Sequence, residues 1–243
     1  MELVYGRRPV AEVLEGPRQA HKVYVAAAGG TDDGLQALLS AAHRRDIAVV
    51  ETSREEMDRR LGDVVHQGVA AEVSPYIYAE LADILGRLEG KTEGLIVALD
   101  KVTDPQNLGA VIRTAAAAGA EGILIGKKRS AAVTPAAVKA SAGMTEKAAI
   151  VRINLSDALV RLKEGGFWIV GADSAGSQRH WNLDLTGKIT VVMGSEGRGL
   201  SRLVRERCDW LAALPLAPGV DSLNVSAAAA VFLYEVLRQR GTA

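Results

Sequence analysis

The chain has 243 residues, of which 48% are hydrophobic and 24% are charged, and its formal net charge is zero. These proportions exclude a disordered chain, a collagen-like fibre and a disulfide-stapled mini-protein. Aromatic residues make up only 4%, so Ala, Val, Leu and Ile must fill the core. The single cysteine, Cys208, cannot form a disulfide within the chain, which indicates a reducing compartment.

Two further features bear on location. No stretch approaches the roughly 18 consecutive apolar residues of a membrane span. Residues 1–6 lack the basic and then apolar order of a signal peptide. We therefore expect a cytoplasmic protein with no membrane partner.

The first 75 residues alternate between helix and strand patterns. Ser53 is followed three residues later by Glu56, which is the pattern of a capping box at a helix start. The alternation predicts a small α/β domain over residues 1–75. Ser74-Pro75 interrupts it, and residues 76–93 carry one helix pattern, at 81–88, which indicates a linker. The predicted helices are 8–15, 35–45 and one from Ser53, and the predicted strands are 21–26, 47–50 and 68–73.

From residue 94 to the end the strands are nearly unbroken apolar runs, which is typical of strands covered on both faces. A second α/β domain is therefore predicted over residues 94–243. Pro215 cannot donate to a strand ladder, so the strand that contains it should be an edge strand or a terminal strand. The predicted strands are 95–99, 122–125, 167–172, 189–193 and 211–216, and the predicted helices are 108–118, 135–143, 155–163 and 225–240.

Charge is unevenly distributed along the chain. Residues 101–152 carry eight Lys and Arg against three Asp and Glu. Such a segment indicates either an anionic partner or a solvated helix face. The basic run at 127–130 leaves the same two alternatives, a phosphate contact or a solvated loop.

The first of three polar segments covers residues 104–114, directly after a predicted strand, where ligands of α/β sheets tend to bind. Asn107 lies at the entrance of the next helix and is either its N-cap or a functional side chain. Arg113 stands among apolar neighbours such as Val111 and Ile112. It is either a solvated helix residue or a guanidinium that needs an anionic or hydrogen-bonding partner.

The second segment, residues 191–201, is a glycine-rich turn that contains Glu196. Its glycine spacing matches neither a P-loop nor a dinucleotide-binding motif. Two interpretations remain: a site where backbone closely approaches a ligand, or an ordinary tight loop in which Glu196 caps the next helix. The third segment, residues 214–226, has two prolines and a glycine before Ser222, Leu223 and Asn224. The simplest interpretation of this segment is the start of a helix that is capped by Ser222 or Asn224.

Other candidate chemistry is sparse. The four histidines lack metal-ligand spacing, so no metal is predicted. Cys208 lies between Arg207 and Asp209 and is expected to be half-buried on a helix rather than to act as a catalytic thiol.

Together, residues 104–109 with Arg113, residues 193–197 and residues 222–226 resemble the three motifs of the SpoU, or TrmH, family of RNA ribose 2′-O-methyltransferases in the SPOUT class. Residues 5–10 and 65–69 resemble the N-terminal domain of the RlmB-like subgroup, which is similar to certain RNA-binding ribosomal proteins. Members of this subgroup methylate a guanosine ribose in large-subunit (23S) ribosomal RNA.

The resemblance implies an α/β fold with a parallel C-terminal sheet, a deep trefoil knot, an N-terminal RNA-binding domain and a homodimer. It implies S-adenosylmethionine as cofactor, ribosomal RNA as partner and no metal. The implied cofactor-binding residues are Met193, Gly194, Leu214, Leu216 and Leu223. The implied catalytic group consists of Asn107, Arg113, Glu196, Ser222 and Asn224.

The resemblance assigns removal of the 2′-hydroxyl proton to Arg113, although an arginine normally stays protonated. A cationic Arg113 could instead lower the pKa of the 2′-hydroxyl or hold a neighbouring phosphate. A transfer-RNA enzyme of the same family is the nearest alternative function. A non-catalytic RNA-binding or ribosome-assembly factor is another, and a nucleotide-dependent oxidoreductase is disfavoured by the glycine spacing.

Overall fold

The structure is a computed structural model that describes residues 1–27 and 32–241. Within these residues the backbone forms two sheets, a four-stranded sheet in residues 2–73 and a seven-stranded sheet in residues 94–213. The two sheets are joined by residues that pack on the second sheet, as described below.

The first sheet has the strand order β1-β4-β2-β3, in which β4 is antiparallel to β1 and β2, and β2 is parallel to β3. The Ser53 hydroxyl accepts a 3.1 Å hydrogen bond from the backbone N–H of Glu56, which confirms a capped helix start there. The patterns had not predicted β1. The elements are β1 Glu2–Tyr5, α1 Arg7–Glu15, β2 Ala20–Ala26, α2 Asp33–Arg44, β3 Ala48–Thr52, α3 Arg54–Leu61 and β4 Val69–Val73.

The second sheet is parallel throughout and has the order β7-β6-β5-β10-β8-β11-β9. Its strands are β5 Gly94–Leu99, β6 Gly122–Gly126, β7 Ile150–Ile153, β8 Trp168–Ala172, β9 Gln178–Arg179, β10 Lys188–Met193 and β11 Trp210–Ala213. The helices are α4 Leu81–Arg87, α5 Pro105–Ala117, α6 Pro135–Ala140, α7 Leu155–Glu164, α8 Arg202–Arg207 and α9 Val225–Gln239.

The parallel sheet confirms the expected α/β fold, while the knot stays a prediction. Strand 211–216 is shorter than predicted. It ends at Ala213, so Pro215 lies beyond the ladder, and β11 pairs on both sides, with β8 and with the two-residue β9. Strand β7 was not predicted, and helix α8 was expected after the glycine-rich loop without any bounds. Both have only four to six residues, too few for a clear periodicity.

Both faces of the second sheet are covered by apolar layers. All six residues of β5 are buried. One layer contains α5, α6 and α9, and the other contains α4, α7 and α8. Residues 76–93 belong to this packing, because Leu81, Ile84 and Leu88 are buried in the second layer and the Tyr76 hydroxyl donates to the Thr145 carbonyl at 3.0 Å.

The two sheets share a core. Val4 and Val10 from the first belong to the same apolar cluster as Val111 and Ile112 from α5. Across this junction the Arg18 guanidinium pairs with Glu2 and, at 3.4 Å, with Glu146, whose side chain is only 1% exposed. Burial raises the pKa of Glu146 above its ordinary value although Arg18 opposes the shift. The N-terminal part is therefore docked through a buried charge pair.

Replacing Arg18 with methionine should lower the free energy of unfolding by about 3–5 kcal/mol at pH 7, because it leaves the Glu146 carboxylate buried without its cation. The folded-state pKa of Glu146 is already raised and would rise further. The cost should therefore be smallest at pH values below the raised folded-state pKa of Glu146, where its carboxyl is neutral with or without Arg18, and should grow as pH rises above it. Denaturant unfolding of variant and wild type at pH 7 and pH 4 measures the difference.

The double variant Arg18→Met with Glu146→Leu should recover most of the loss. An equal loss at both pH values would contradict this account.

Candidate active site

The three polar segments converge at the carboxyl ends of neighbouring strands. The segment with Asn107 follows β5, and the segment with Glu196 follows β10, its neighbour in the sheet. The segment with Asn224 leads into α9, which packs against α5. This is the edge of a parallel sheet at which ligands bind.

Asp104, rather than Asn107, caps helix α5. Its carboxylate accepts the backbone N–H groups of Gln106 and Asn107 at 3.1 and 3.2 Å. Of the two alternatives for Asn107, the N-cap is therefore excluded. Because Asp104 satisfies the first free N–H groups of the helix, the Asn107 side chain is available for other contacts.

Glu196 joins the three segments in one hydrogen-bonded cluster. Its Oε1 accepts from Asn107 Nδ2 at 3.2 Å and from Asn224 Nδ2 at 2.7 Å. Asn224 Nδ2 also donates to Asn107 Oδ1 at 2.8 Å. Ser201, not Glu196, is the N-cap residue of α8, so the interpretation of Glu196 as that cap is wrong.

Asn224 has both of the roles considered for it. Its Oδ1 accepts the backbone N–H of Ser226 at 2.9 Å and so caps α9, while its Nδ2 belongs to the cluster. Capping and the cluster together define the side-chain amide orientation, because the oxygen must face the helix and the nitrogen must face Glu196.

The glycine-rich loop is folded back on itself. Ser195 and Gly199 exchange two backbone hydrogen bonds of 3.2 and 2.9 Å. A Cβ on Gly194 would lie 2.6 Å from the Gly199 oxygen and from the Leu200 nitrogen. At the far end of the loop, the buried Asp100 carboxylate accepts the Ser201 N–H at 2.6 Å. The loop therefore requires glycine at 194 and is tied to β5 by Asp100.

A cleft of about 610 Å³ lies beside the loop, within the roughly 300–1,000 Å³ of small-molecule sites. All five predicted cofactor-binding residues line it: Met193, Gly194, Leu214, Leu216 and Leu223. Glu196 and Ser222 also line it, and Ser222 makes no hydrogen bond to any residue that the structure describes. The cleft thus has apolar walls and backbone polar groups. It meets the Asn107–Glu196–Asn224 cluster at Glu196, whereas Asn107 and Asn224 do not line it.

Arg113 lies apart from this cleft. It is exposed on α5, six residues beyond Asn107, and it does not line the cleft. Among the described residues it has no hydrogen-bond or ion-pair partner. Its neighbours Val111 and Ile112 are buried, so the apolar run forms the inner side of the helix while the guanidinium faces solvent. Arg113 is therefore free to contact another molecule.

Outside the three polar segments, sequence reasoning missed two charged residues of the cleft, Asp173 and Arg205. Asp173 directly follows the carboxyl end of β8, so the same rule that directed attention to Asn107 and Glu196 also applies to it. Arg205 lies in α8, a helix too short for its bounds to be predicted. Its position in the cleft depends on tertiary packing.

Cys208 follows α8 and is partly buried, close to the expectation for it. Burial raises the pKa of its thiol to about 12. Such a thiol is protonated at neutral pH and is a poor nucleophile. Across residues 1–27 and 32–241, no three His, Cys, Asp or Glu side chains are grouped to hold a metal ion, and no helix is long and apolar enough to cross a bilayer.

The fold and the site define an α/β protein that binds a small molecule in a cleft next to a polar cluster. The chain belongs to the SpoU rRNA methylase family, whose pattern matches residues 94–234. Residues 3–79 match the substrate-binding domain of RNA 2′-O ribose methyltransferases. The family resemblance of the three motifs is therefore confirmed.

Named relatives agree with this assignment. An uncharacterized tRNA/rRNA methyltransferase of Mycolicibacterium vanbaalenii is 43% identical over 246 residues, which cover 100% of this chain and 78% of the relative. One from Mycobacterium avium is 42% identical over 240 residues, which cover 98% of this chain and 78% of the relative.

Solved structures share the whole fold. The SpoU methyltransferase AviRb from Streptomyces viridochromogenes, in complex with AdoMet, superposes with a TM-score of 0.80 at 27% identity and covers 99% of this chain and 90% of its own. An AdoMet-bound rRNA methyltransferase from Sinorhizobium meliloti has a TM-score of 0.81 at 25% identity and covers 98% of this chain and 87% of its own.

Proposed function

We propose that the protein transfers a methyl group from S-adenosylmethionine to the ribose 2′-oxygen of a guanosine in large-subunit (23S) ribosomal RNA. The observation that carries the proposal is the Asn107–Glu196–Asn224 cluster at one end of a cleft with apolar walls. In this proposal residues 1–75 bind the RNA and residues 94–243 form the catalytic domain. Residues 76–93 are the linker between these two domains.

The cleft fits the cofactor in size and in chemistry. Met193, Leu214 and Leu216 offer apolar surface to an adenine ring, and the loop at Gly194 brings backbone polar groups close to the ligand. When bound, S-adenosylmethionine supplies an electrophilic methyl group on its sulfonium, so no metal is required. The same fold carries AdoMet in AviRb, which supports the assignment.

The protein's own residues would position the target ribose. Asn107, Glu196 and Asn224 form a hydrogen-bonded cluster. Ser222 adds a hydroxyl in the cleft that has no hydrogen-bond partner among the described residues. Holding the 2′-oxygen about 3 Å from the methyl carbon and in line with it supplies much of the rate. A cationic Arg113 would hold the adjacent phosphate bidentately, or would lower the pKa of the 2′-hydroxyl so that its proton passes to water as the oxygen–methyl bond forms. Either role agrees with the lack of an ion-pair partner for Arg113 among the described residues.

A homodimer is part of the proposal. The outer face of α9 exposes Val231 and Tyr234, 42% and 52% accessible, and Trp181 beside the helix is 47% accessible. Exposed apolar groups in such a cluster are typical of an interface. A second copy would also explain how Arg113, which does not line its own cleft, reaches a reaction centre.

Val231→Glu should therefore give a folded monomer with little methyltransferase activity, because a charge at the centre of an apolar interface opposes association. Light scattering measures the mass and thermal unfolding checks the fold. Leu203→Glu, on α8 and 53% exposed, is the matched control and should leave both mass and activity unchanged. A Val231→Glu protein that is still a fully active dimer would contradict the assignment of this face.

The function is tested with labelled S-adenosylmethionine and separate pools of unmodified ribosomal and transfer RNA, followed by mapping of any 2′-O-methyl group. Label on a large-subunit guanosine supports the proposal in full. Label only in transfer RNA would support the enzyme class and contradict the proposed ribosomal substrate. No label in either pool or in precursor ribosomal particles, despite tight cofactor binding, would favour an assembly factor.

A further inference from the structure

One charged pair in the cleft has no part in the mechanism described so far. Asp173 follows β8, its side chain is only 9% exposed, and its Oδ2 lies 3.4 Å from the Arg205 guanidinium. Both residues line the cleft. The carboxylate is also anchored locally, because its Oδ1 accepts the backbone N–H of Ala175 at 2.9 Å. A carboxylate side chain therefore lines a ligand cleft from a defined position.

The loop that carries Asp173 is held against the sheet. The Asp173 N–H donates to the Ala212 carbonyl at 3.0 Å, and the Gly176 N–H donates to the Asp173 carbonyl at 2.9 Å. A Cβ on Gly176 would lie 2.7 Å from the Leu211 oxygen, so the turn packs closely on β11. Arg205 then connects this loop to α8, which follows the glycine-rich loop.

Strand order defines what Asp173 would face. Asn107 and Glu196 follow β5 and β10, Asp173 follows β8, and Leu214 and Leu216 follow β11. These four strands are consecutive neighbours in the sheet, spaced about 4.8 Å apart. Asp173 therefore lies between the polar cluster, where the methyl group must be, and the apolar walls suited to adenine. The part of the cofactor between sulfonium and adenine is the ribose.

We propose that the Asp173 carboxylate, oriented by Arg205, binds the vicinal hydroxyls of the adenosyl ribose. This inference rests on the proposed function. An ionised carboxylate accepts up to about four hydrogen bonds. One is used by the Ala175 N–H, and the Arg205 guanidinium lies 3.4 Å away as an ion-pair partner. The remaining capacity matches the two O–H donors of a diol, and hydrogen bonds to a charged acceptor in a closed cleft are strong.

The test is calorimetric binding of S-adenosylhomocysteine and of its 2′,3′-dideoxyribosyl analogue. Wild type should bind the analogue about 10- to 100-fold more weakly, as expected for lost hydrogen bonds to a charged group. Asp173→Ala should bind S-adenosylhomocysteine more weakly by a similar factor and should no longer distinguish the two ligands. Arg205→Met keeps the carboxylate and should still distinguish them.

The outcomes separate this inference from the proposed function. The inference is overturned if Asp173→Ala and Arg205→Met weaken the binding of both ligands equally and each variant still binds S-adenosylhomocysteine more tightly than the dideoxy analogue. The Asp173–Arg205 pair would then only stabilise the loop. If wild type binds S-adenosylhomocysteine but does not prefer the diol, the inference also fails while the proposed function stands. If wild type binds neither S-adenosylhomocysteine nor S-adenosylmethionine, the proposed function itself fails.

Discussion

Replacing Arg113 with lysine is expected to lower turnover about a hundredfold or more while the melting temperature and the affinity for S-adenosylhomocysteine stay at wild-type values. The loss follows from geometry, because lysine keeps the charge but cannot hold a phosphate with two parallel N–H groups or present a planar donor pair to a developing alkoxide. The fold should be unaffected, since Arg113 is exposed and has no partner among the described residues.

Single-turnover methylation under saturating cofactor measures this effect without interference from product release. Arg161→Lys is the matched control, because Arg161 is also an exposed helical arginine but lies on α7, on the opposite side of the sheet. It should keep full activity. Near-native turnover by Arg113→Lys would remove the bidentate role, and near-native turnover by Arg113→Ala would remove Arg113 from the mechanism.

Gly194→Val is expected to weaken cofactor binding by about a hundredfold or more and to abolish turnover. The added Cβ would lie 2.6 Å from two backbone atoms, the Gly199 oxygen and the Leu200 nitrogen. Backbone atoms cannot rotate away as a side chain can, so the loop that carries Glu196 must move. Overpacking of this kind also costs about 1–3 kcal/mol of stability. Calorimetric titration with S-adenosylhomocysteine and thermal unfolding measure the two effects.

Gly86→Ala is the control for glycine replacement. Gly86 lies within α4, and a Cβ there meets no heavy atom within 4 Å. Alanine should therefore stabilise the protein by about 0.5–1 kcal/mol, because it favours the helix over the unfolded chain. It should leave cofactor binding unchanged. Wild-type affinity in Gly194→Val would show that the loop does not form the cofactor site.

Local sequence determined the α/β class, most of the elements and the segments of the site. Alternating patterns predicted helices and strands close to their observed positions, because apolar periodicity and capping act over a few residues. The order Asp104–Arg113, Met193–Gly197 and Ser222–Ser226 indicated the family, and the glycine-rich turn followed a strand as expected. The same local signals were ambiguous for Asn107, because both Asp104 and Asn107 are good capping residues.

Tertiary structure decided which segments meet. The sequence does not show that β10 lies between β5 and β8, and that order brings Glu196 next to Asn107 and places Asp173 beside the cleft. It also does not show that Arg18 reaches Glu146, 128 residues away, and docks the N-terminal part on the second sheet. These contacts depend on the packing free energy of residues that are far apart in the chain. Patterns over a few neighbouring residues do not show which distant segments pack most favourably.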